Sequence, residues 1–219
     1  MSWSEAAWRH VAPTYEAIVG HPFVTGLRSG TLDRDVFLRY LLDDARYLDG
    51  YARVLAMIAP RLPETRDVAV LARSAAGAVE AERTLHARLL GEHGIDADEP
   101  GEPTPTCRLY VASLLADAAT EPVEVAVGSV LPCFRVYAEV GAAIAAGTGS
   151  DHPYAPWIEM YADPEFAAVV REVEALADRL ADKAADGTPD RMRAAYDRST
   201  RLEWMFWDAA WRGERWPEV

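Results

Sequence analysis

The chain has 219 residues, half of them hydrophobic and 26% charged, which fits one large globular domain that needs no metal or disulfide staple to hold its core. Its 22 Lys and Arg against 35 Asp and Glu give a net charge of −13, which counts against nucleic acid and anionic lipid as partners, because phosphates repel such a surface. The start, "MSWSEAAWRH", lacks a basic region followed by an apolar one, and no run of about 18 apolar residues stands out, so neither a signal peptide nor a membrane span is expected.

Hydrophobic spacing is helical almost throughout, and alternating β-branched runs with hairpin turns are absent. "SEAAWRHVAPTYEAIV" reads as a first helix, disturbed at Pro13 and ended by "GHPF". "SGTLDRDVF" opens a long second helix that runs to about Pro60, with Asp33 as its N-cap. A third covers "ETRDVAVLARSAAGAVEAERTLHARLLGEHG" and stops at Gly94, before the acidic loop "GIDADEPGEPTP". "TCRLYVASLLADAAT" is a fourth, and Pro122 starts a fifth that continues to Gly147. "YAPWIEMY" is short. Asp163-Pro164 then starts a longer helix and Thr188-Pro189 the last, which ends near Gly213. With no repeat or flexible linker, the expectation is a single all-α domain over residues 1–219. Cys107 and Cys133 stand in different segments without CxxC spacing, the pattern of a reducing compartment, so a cytoplasmic location is expected.

Three polar residues sit on apolar stripes. Asp44 lies in the second helix, four residues after Tyr40 and three before Tyr47, on the same face. A carboxylate there costs several kcal/mol unless it is paired or hydrogen-bonded. Either it is a core aspartate satisfied by tyrosine hydroxyls, or it is functional. Glu203 lies in the last helix, four residues after Ser199 and three before Phe206. An aromatic surround would raise its pKa and suit it to proton transfer, unless Arg198 or Arg201 pairs with it. In the fifth helix, "LPCFRVYAEVG" carries Pro132 inside an apolar run, with Cys133 directly after it and Tyr137 one turn on. Proline removes a helix hydrogen bond and crowds the carbonyl four residues back, that of Gly128, which leaves room for a kink that re-aims Cys133. Alone, Cys133 could be an inert core thiol. A thiol together with separate acid–base groups makes a covalent-catalysis set.

The ordered set "HPFV", "FLRYLLDDARYLDGYA", "EAERTLHARLLGEHGI", "LPCFRVYAEVG", "YADPEF" and "TRLEWMFWDAAW" resembles the TenA family, the thiaminase II or aminopyrimidine aminohydrolase group, over nearly the whole chain. The resemblance implies a helical bundle of the haem-oxygenase-like type, a homotetramer and a small-molecule pyrimidine substrate, with no metal and no organic cofactor. It implies Cys133 as nucleophile, Glu203 as acid–base group and Asp44 as the residue that holds the aminopyrimidine. Tyr47, Tyr51, Tyr110, Tyr137, Tyr161 and Phe206 match positions that line the ring pocket. Two residues depart from the family pattern: Asp43, where glutamine is common, and Arg135, where an aromatic residue is frequent. Asp43 lies off the apolar stripe, so no change in chemistry is expected; Arg135 alters either the pocket's surroundings or only the outer surface.

Two rival readings remain from the residues. Glu82, His86 and His93 share roughly one helical face and could belong to a metal-dependent oxidase. The chain could also be a pyrimidine-binding module without catalysis. Finally, Trp204 and Trp211 share a face turned roughly 100–120° from the Glu203 stripe, and Trp216 lies past Gly213, so these rings await either a neighbouring helix or a second subunit.

Overall fold

The computed structural model describes residues 1–91, 101–147, 149 and 151–218, with the side chains of 81–85 and 87 outside that description. Among the described residues there are ten α-helices and no strand. They are α1 Trp3–His10, α2 Ala12–Val19, α3 Pro22–Ser29, α4 Arg34–Ile58, α5 Thr65–Gly91, α6 Pro105–Thr120, α7 Val123–Ala145, α8 Ala155–Tyr161, α9 Pro164–Lys183 and α10 Thr188–Arg212. The predicted stop at Gly94 and the first part of the acidic loop lie outside the described residues.

The N-terminal segment differs from the expectation. What reads as one helix is two, broken at Val11, with Pro13 in the first turn of α2. The "GHPF" stop is also a start: the His21 ring accepts from Phe23 N at 3.1 Å, Pro22 takes the first helical position, and Gly30 ends α3 at φ 73°. Further on, Asp33 caps α4 through Asp35 N and Val36 N, and Asp163 caps α9 through Glu165 N.

α7 is the spine. It packs most extensively on α10 and is flanked by α8 and α9, while α4 lies between α5 and α6. It runs unbroken through Pro132, and the Tyr51 hydroxyl donates to the Val130 carbonyl beside the proline at 2.8 Å. Gly128, four residues before the proline, also lies where α7 meets α10. A Cβ there would stand 2.9 Å from the Met192 carbonyl oxygen, so the glycine sets the close crossing of α7 and α10. Gly141 does the same for α8, where a Cβ would lie 2.6 Å from the Tyr161 carbonyl carbon. α7 is long and apolar enough to cross a membrane by length and composition alone; 72% of its most apolar window is buried inside the bundle, which accounts for its apolarity.

Candidate active site

Asp44 is 2% exposed, near the middle of α4. The Tyr40 hydroxyl donates to its Oδ2 at 3.2 Å, and His86 Nε2 from α5 lies 3.1 Å from the same oxygen. Tyr40 is fixed in turn: Trp157 Nε1 donates to its oxygen at 3.2 Å, and its hydroxyl lies 3.3 Å from that of Tyr137. The tyrosine partner was legible from the stripe. His86 was not, because nothing in local spacing ties two residues 42 apart. Its ring is engaged with a carboxylate rather than grouped with ligands. Glu82's side chain and His93 lie outside the described residues, and among those described no three His, Cys, Asp or Glu side chains form a group fit for a metal ion.

Glu203, 1% exposed on α10, accepts from the Tyr110 hydroxyl of α6 at 2.6 Å. Burial pushes its pKa up to about 8; the Tyr110 bond opposes the rise and the charge of Asp44 adds to it. Neither arginine competes for it, since Arg198 pairs with Asp117 and Arg201 with Asp197.

Cys133 on α7 is half-buried and is not in a disulfide. The Tyr51 hydroxyl is within hydrogen-bonding reach of its sulfur. Cys107, by contrast, is buried, directs its thiol at the Asp43 carbonyl at 3.5 Å, and has its pKa pushed up by burial. Tyr47, Tyr51, Tyr110 and Tyr137 all have pKa values driven well above the usual phenol value by burial, so they act as neutral donors and flat walls, not as bases.

A cavity of about 460 Å³ opens onto these groups. Asp44, Tyr47, Tyr51, Cys133, Tyr137 and Tyr161 line it. Tyr110 and Phe206 are absent from the lining, as is Glu203 itself. They stand behind Tyr47, whose ring centroid is 4.8 Å from Tyr110 and 5.6 Å from Phe206. The Tyr110 hydroxyl is spent on Glu203, and Phe206 packs edge-on to Tyr40. Ser199 Oγ and Trp207 Nε1 are buried and make no hydrogen bond to the described protein, and Tyr47 Oη interacts with the Tyr110 hydroxyl without normal hydrogen-bond geometry. Tyr47 borders the cavity, and the other two lie one turn either side of Glu203. Buried polar groups are nearly always satisfied, and of these three only the Tyr47 hydroxyl belongs to a residue that lines the cavity, where a polar ligand could meet it.

The two departing residues lie outside this lining. Asp43 is buried and accepts from Arg46 Nη1 at 2.8 Å, Thr104 N at 3.1 Å and Thr104 Oγ1 at 2.6 Å, tying α4 to the start of α6. Arg135 pairs with Glu139 and Glu174 and lies 5.0 Å from the centroid of the Trp8 ring, on the side of α1 and α9. Trp204 is half-buried against His21, whereas Trp211 and Trp216 are 41% and 44% exposed.

Residues 8–213 match the model of the TENA/THI-4/PQQC family. The chain is 31% identical over 216 residues to the thiamine biosynthesis multifunctional protein ThiED of Corynebacterium efficiens, covering 92% of this chain but 29% of that larger protein. It is 28% identical over 220 residues to an aminopyrimidine aminohydrolase of Halalkalibacterium halodurans, covering 99% of this chain and 98% of the relative. The solved structure of a TenA homologue from P. horikoshii OT3 superposes with a TM-score of 0.88 at 29% identity, covering 97% and all of the two chains. A domain with a haem oxygenase-like fold from Shewanella denitrificans shares the fold at a TM-score of 0.74 and 16% identity.

Proposed function

The chain belongs to the TENA/THI-4/PQQC family, and from that premise and the site's geometry we propose that it hydrolyses the methylene substituent of 4-amino-2-methylpyrimidines by covalent cysteine catalysis. Aminomethyl pyrimidine plus water would give hydroxymethyl pyrimidine plus ammonia, and thiamin plus water would give hydroxymethyl pyrimidine plus the thiazole. The observation that carries this reading is the meeting of a thiol and a carboxylate, Cys133 and Asp44, in one tyrosine-walled cavity, with a second carboxyl of pKa about 8 directly behind the wall. The printed activity of the H. halodurans relative supports it.

Asp44, pre-oriented by Tyr40 and His86, accepts a charge-assisted hydrogen bond from the exocyclic amine. The Cys133 thiolate adds to a carbon of the electron-poor ring. Glu203, mostly protonated at pH 7, delivers its proton to a ring nitrogen and so takes up the negative charge that addition creates. The electron pair then expels the substituent from the exocyclic methylene. Water adds to that methylene and loses a proton to the released ammonia or to solvent, the thiolate leaves, the ring regains aromaticity, and the ring nitrogen returns its proton to Glu203. Because Glu203 sits one layer behind the lining, the ring must seat against Tyr47 and Tyr137 at the buried end. The working form is a cytoplasmic homotetramer, with exposed Trp211 and Trp216 available to a subunit contact. Cys133→Ser tests the reading. Turnover should vanish while hydroxymethyl pyrimidine still binds, and a variant that keeps more than a few per cent of activity rules out the covalent route.

A further inference from the structure

The cavity is longer than the chemistry just described. Its buried end holds Asp44, Cys133 and the tyrosines; its exposed end is a slot between α5 and α9. These two helices run antiparallel and are joined by a ladder of ion pairs: Glu64, directly before α5, with Lys183, Asp67 with Arg179, then Arg73 with Glu172 at 3.0 Å. Arg73 and Glu172 both border the cavity, so the last rung spans its mouth. At the mouth the side chains of α5 shrink to Ser74, Gly77 and Ala78, opposite Phe166 and Val169 of α9. Val70, Arg73, Ser74, Gly77 and Ala78 fall within about 140° of the α5 surface at 100° per residue, with Val70 near the middle and Gly77 about 20° from it. The Cβ direction of Gly77 therefore points along the cavity stripe, and a Cβ there would meet no atom within 4 Å.

A volume of about 460 Å³ suits a ligand larger than one pyrimidine with a small substituent. If the ring seats against Tyr47 and Tyr137, its methylene substituent extends toward α5 and α9. We propose that the slot between Ser74, Gly77 and Ala78 on one side and Phe166 and Val169 on the other is the leaving-group subsite, and that Gly77 sets how large a leaving group is accepted. This rests on the aminopyrimidine hydrolase reading. The ligand class is a 4-aminopyrimidine whose methylene bears a flat heteroaromatic ring, held between the two helices beneath the Arg73–Glu172 pair.

The test is Gly77→Ala and Gly77→Leu in the full chain, with specificity constants for thiamin and for aminomethyl pyrimidine. Alanine and leucine are better helix formers than glycine, so both variants should fold and melt no lower than the parent. The thiamin to aminomethyl pyrimidine ratio of kcat/KM should fall about tenfold or more in the leucine variant and by less in the alanine variant, the scale for one to a few methylene groups in a pocket. A ratio that stays put, whether both constants drop together or neither does, overturns the subsite. Calorimetric binding of thiamin and hydroxymethyl pyrimidine separates the two readings. A parent that binds both but hydrolyses neither substrate refutes the hydrolase and leaves the subsite to be judged by whether leucine weakens thiamin selectively. A parent that binds neither overturns both.

Discussion

Glu203→Gln replaces a carboxyl that folding moves far from its ordinary state. In the unfolded chain it titrates near 4.5; in the bundle burial lifts it to about 8. At 1.36 kcal/mol for each pH unit, that difference corresponds to about 5 kcal/mol. The folded protein holds the proton more tightly than the unfolded one, so stability is present in full below pH 4.5 and is lost as pH rises through 8. Glutamine keeps the shape and can still meet the Tyr110 hydroxyl, but it carries no charge to bury. The two proteins should match within about 1 kcal/mol at pH 5. By pH 9 the variant should be the more stable by several kcal/mol, which at an m-value of about 2–3 kcal/mol/M is a difference of roughly 2 M in urea midpoint. Turnover should move the other way, falling by about two to four orders of magnitude, the range for one acid–base group. Urea melts at half-unit intervals from pH 5 to 9 give the whole curve, and subtracting one protein from the other isolates this group from every other titration. Parallel curves for parent and variant would refute the pKa assignment and, with it, the role of Glu203 as a reservoir of one proton.

His86→Phe removes the nitrogen that holds Asp44, so KM should rise at least as much as kcat falls, on the scale of about 1–3 kcal/mol, and His86→Gln should restore most of the loss; steady-state kinetics on the pair reads this. Gly141→Ala forces a Cβ to within 2.6 Å of the Tyr161 backbone and should cost about 1–3 kcal/mol, a drop in Tm of about 3–10 °C by calorimetry, with KM raised because Tyr161 borders the cavity. Tyr47→Phe deletes a buried hydroxyl that makes no well-formed hydrogen bond in the described protein; the ligand-free protein should gain up to about 1 kcal/mol while hydroxymethyl pyrimidine binds more weakly, and a destabilised variant would show that the interaction with the Tyr110 hydroxyl matters more.

Asp44, Glu203 and Cys133 were visible in the sequence because a helical stripe is a local property: a carboxylate three or four residues from tyrosines must face the core. What a stripe does not carry is depth. Asp44 and Glu203 look alike in spacing, yet one borders the cavity and the other stands behind it, and Tyr110 and Phe206 recede with Glu203. Distant partners were equally hidden, His86 most of all. Punctuation failed where one residue type has two meanings. Pro22 reads as a stop but starts α3, and Gly128, read from its spacing to Pro132, gave no sign that α10 presses on α7 there. Asp43 looked peripheral by phase and is buried, because the chain folds back at Thr104 to cover it.

Every reacting group meets a residue of a helix other than its own: His86 of α5 and Tyr110 of α6 bond to Asp44 of α4 and Glu203 of α10, and Tyr51 of α4 borders the cavity beside Cys133 of α7. Activity is therefore a property of docking and not of helix content. Under mild acid or low denaturant, a loosened bundle that keeps its secondary structure should already be catalytically silent. Far-UV circular dichroism would overestimate the working fraction of any preparation, while the near-UV signal of the stacked Tyr40 and Trp207 rings would track it. Variants that appear folded by helicity yet fail in assays need not touch the chemistry at all; loosening one helix from its neighbour is enough.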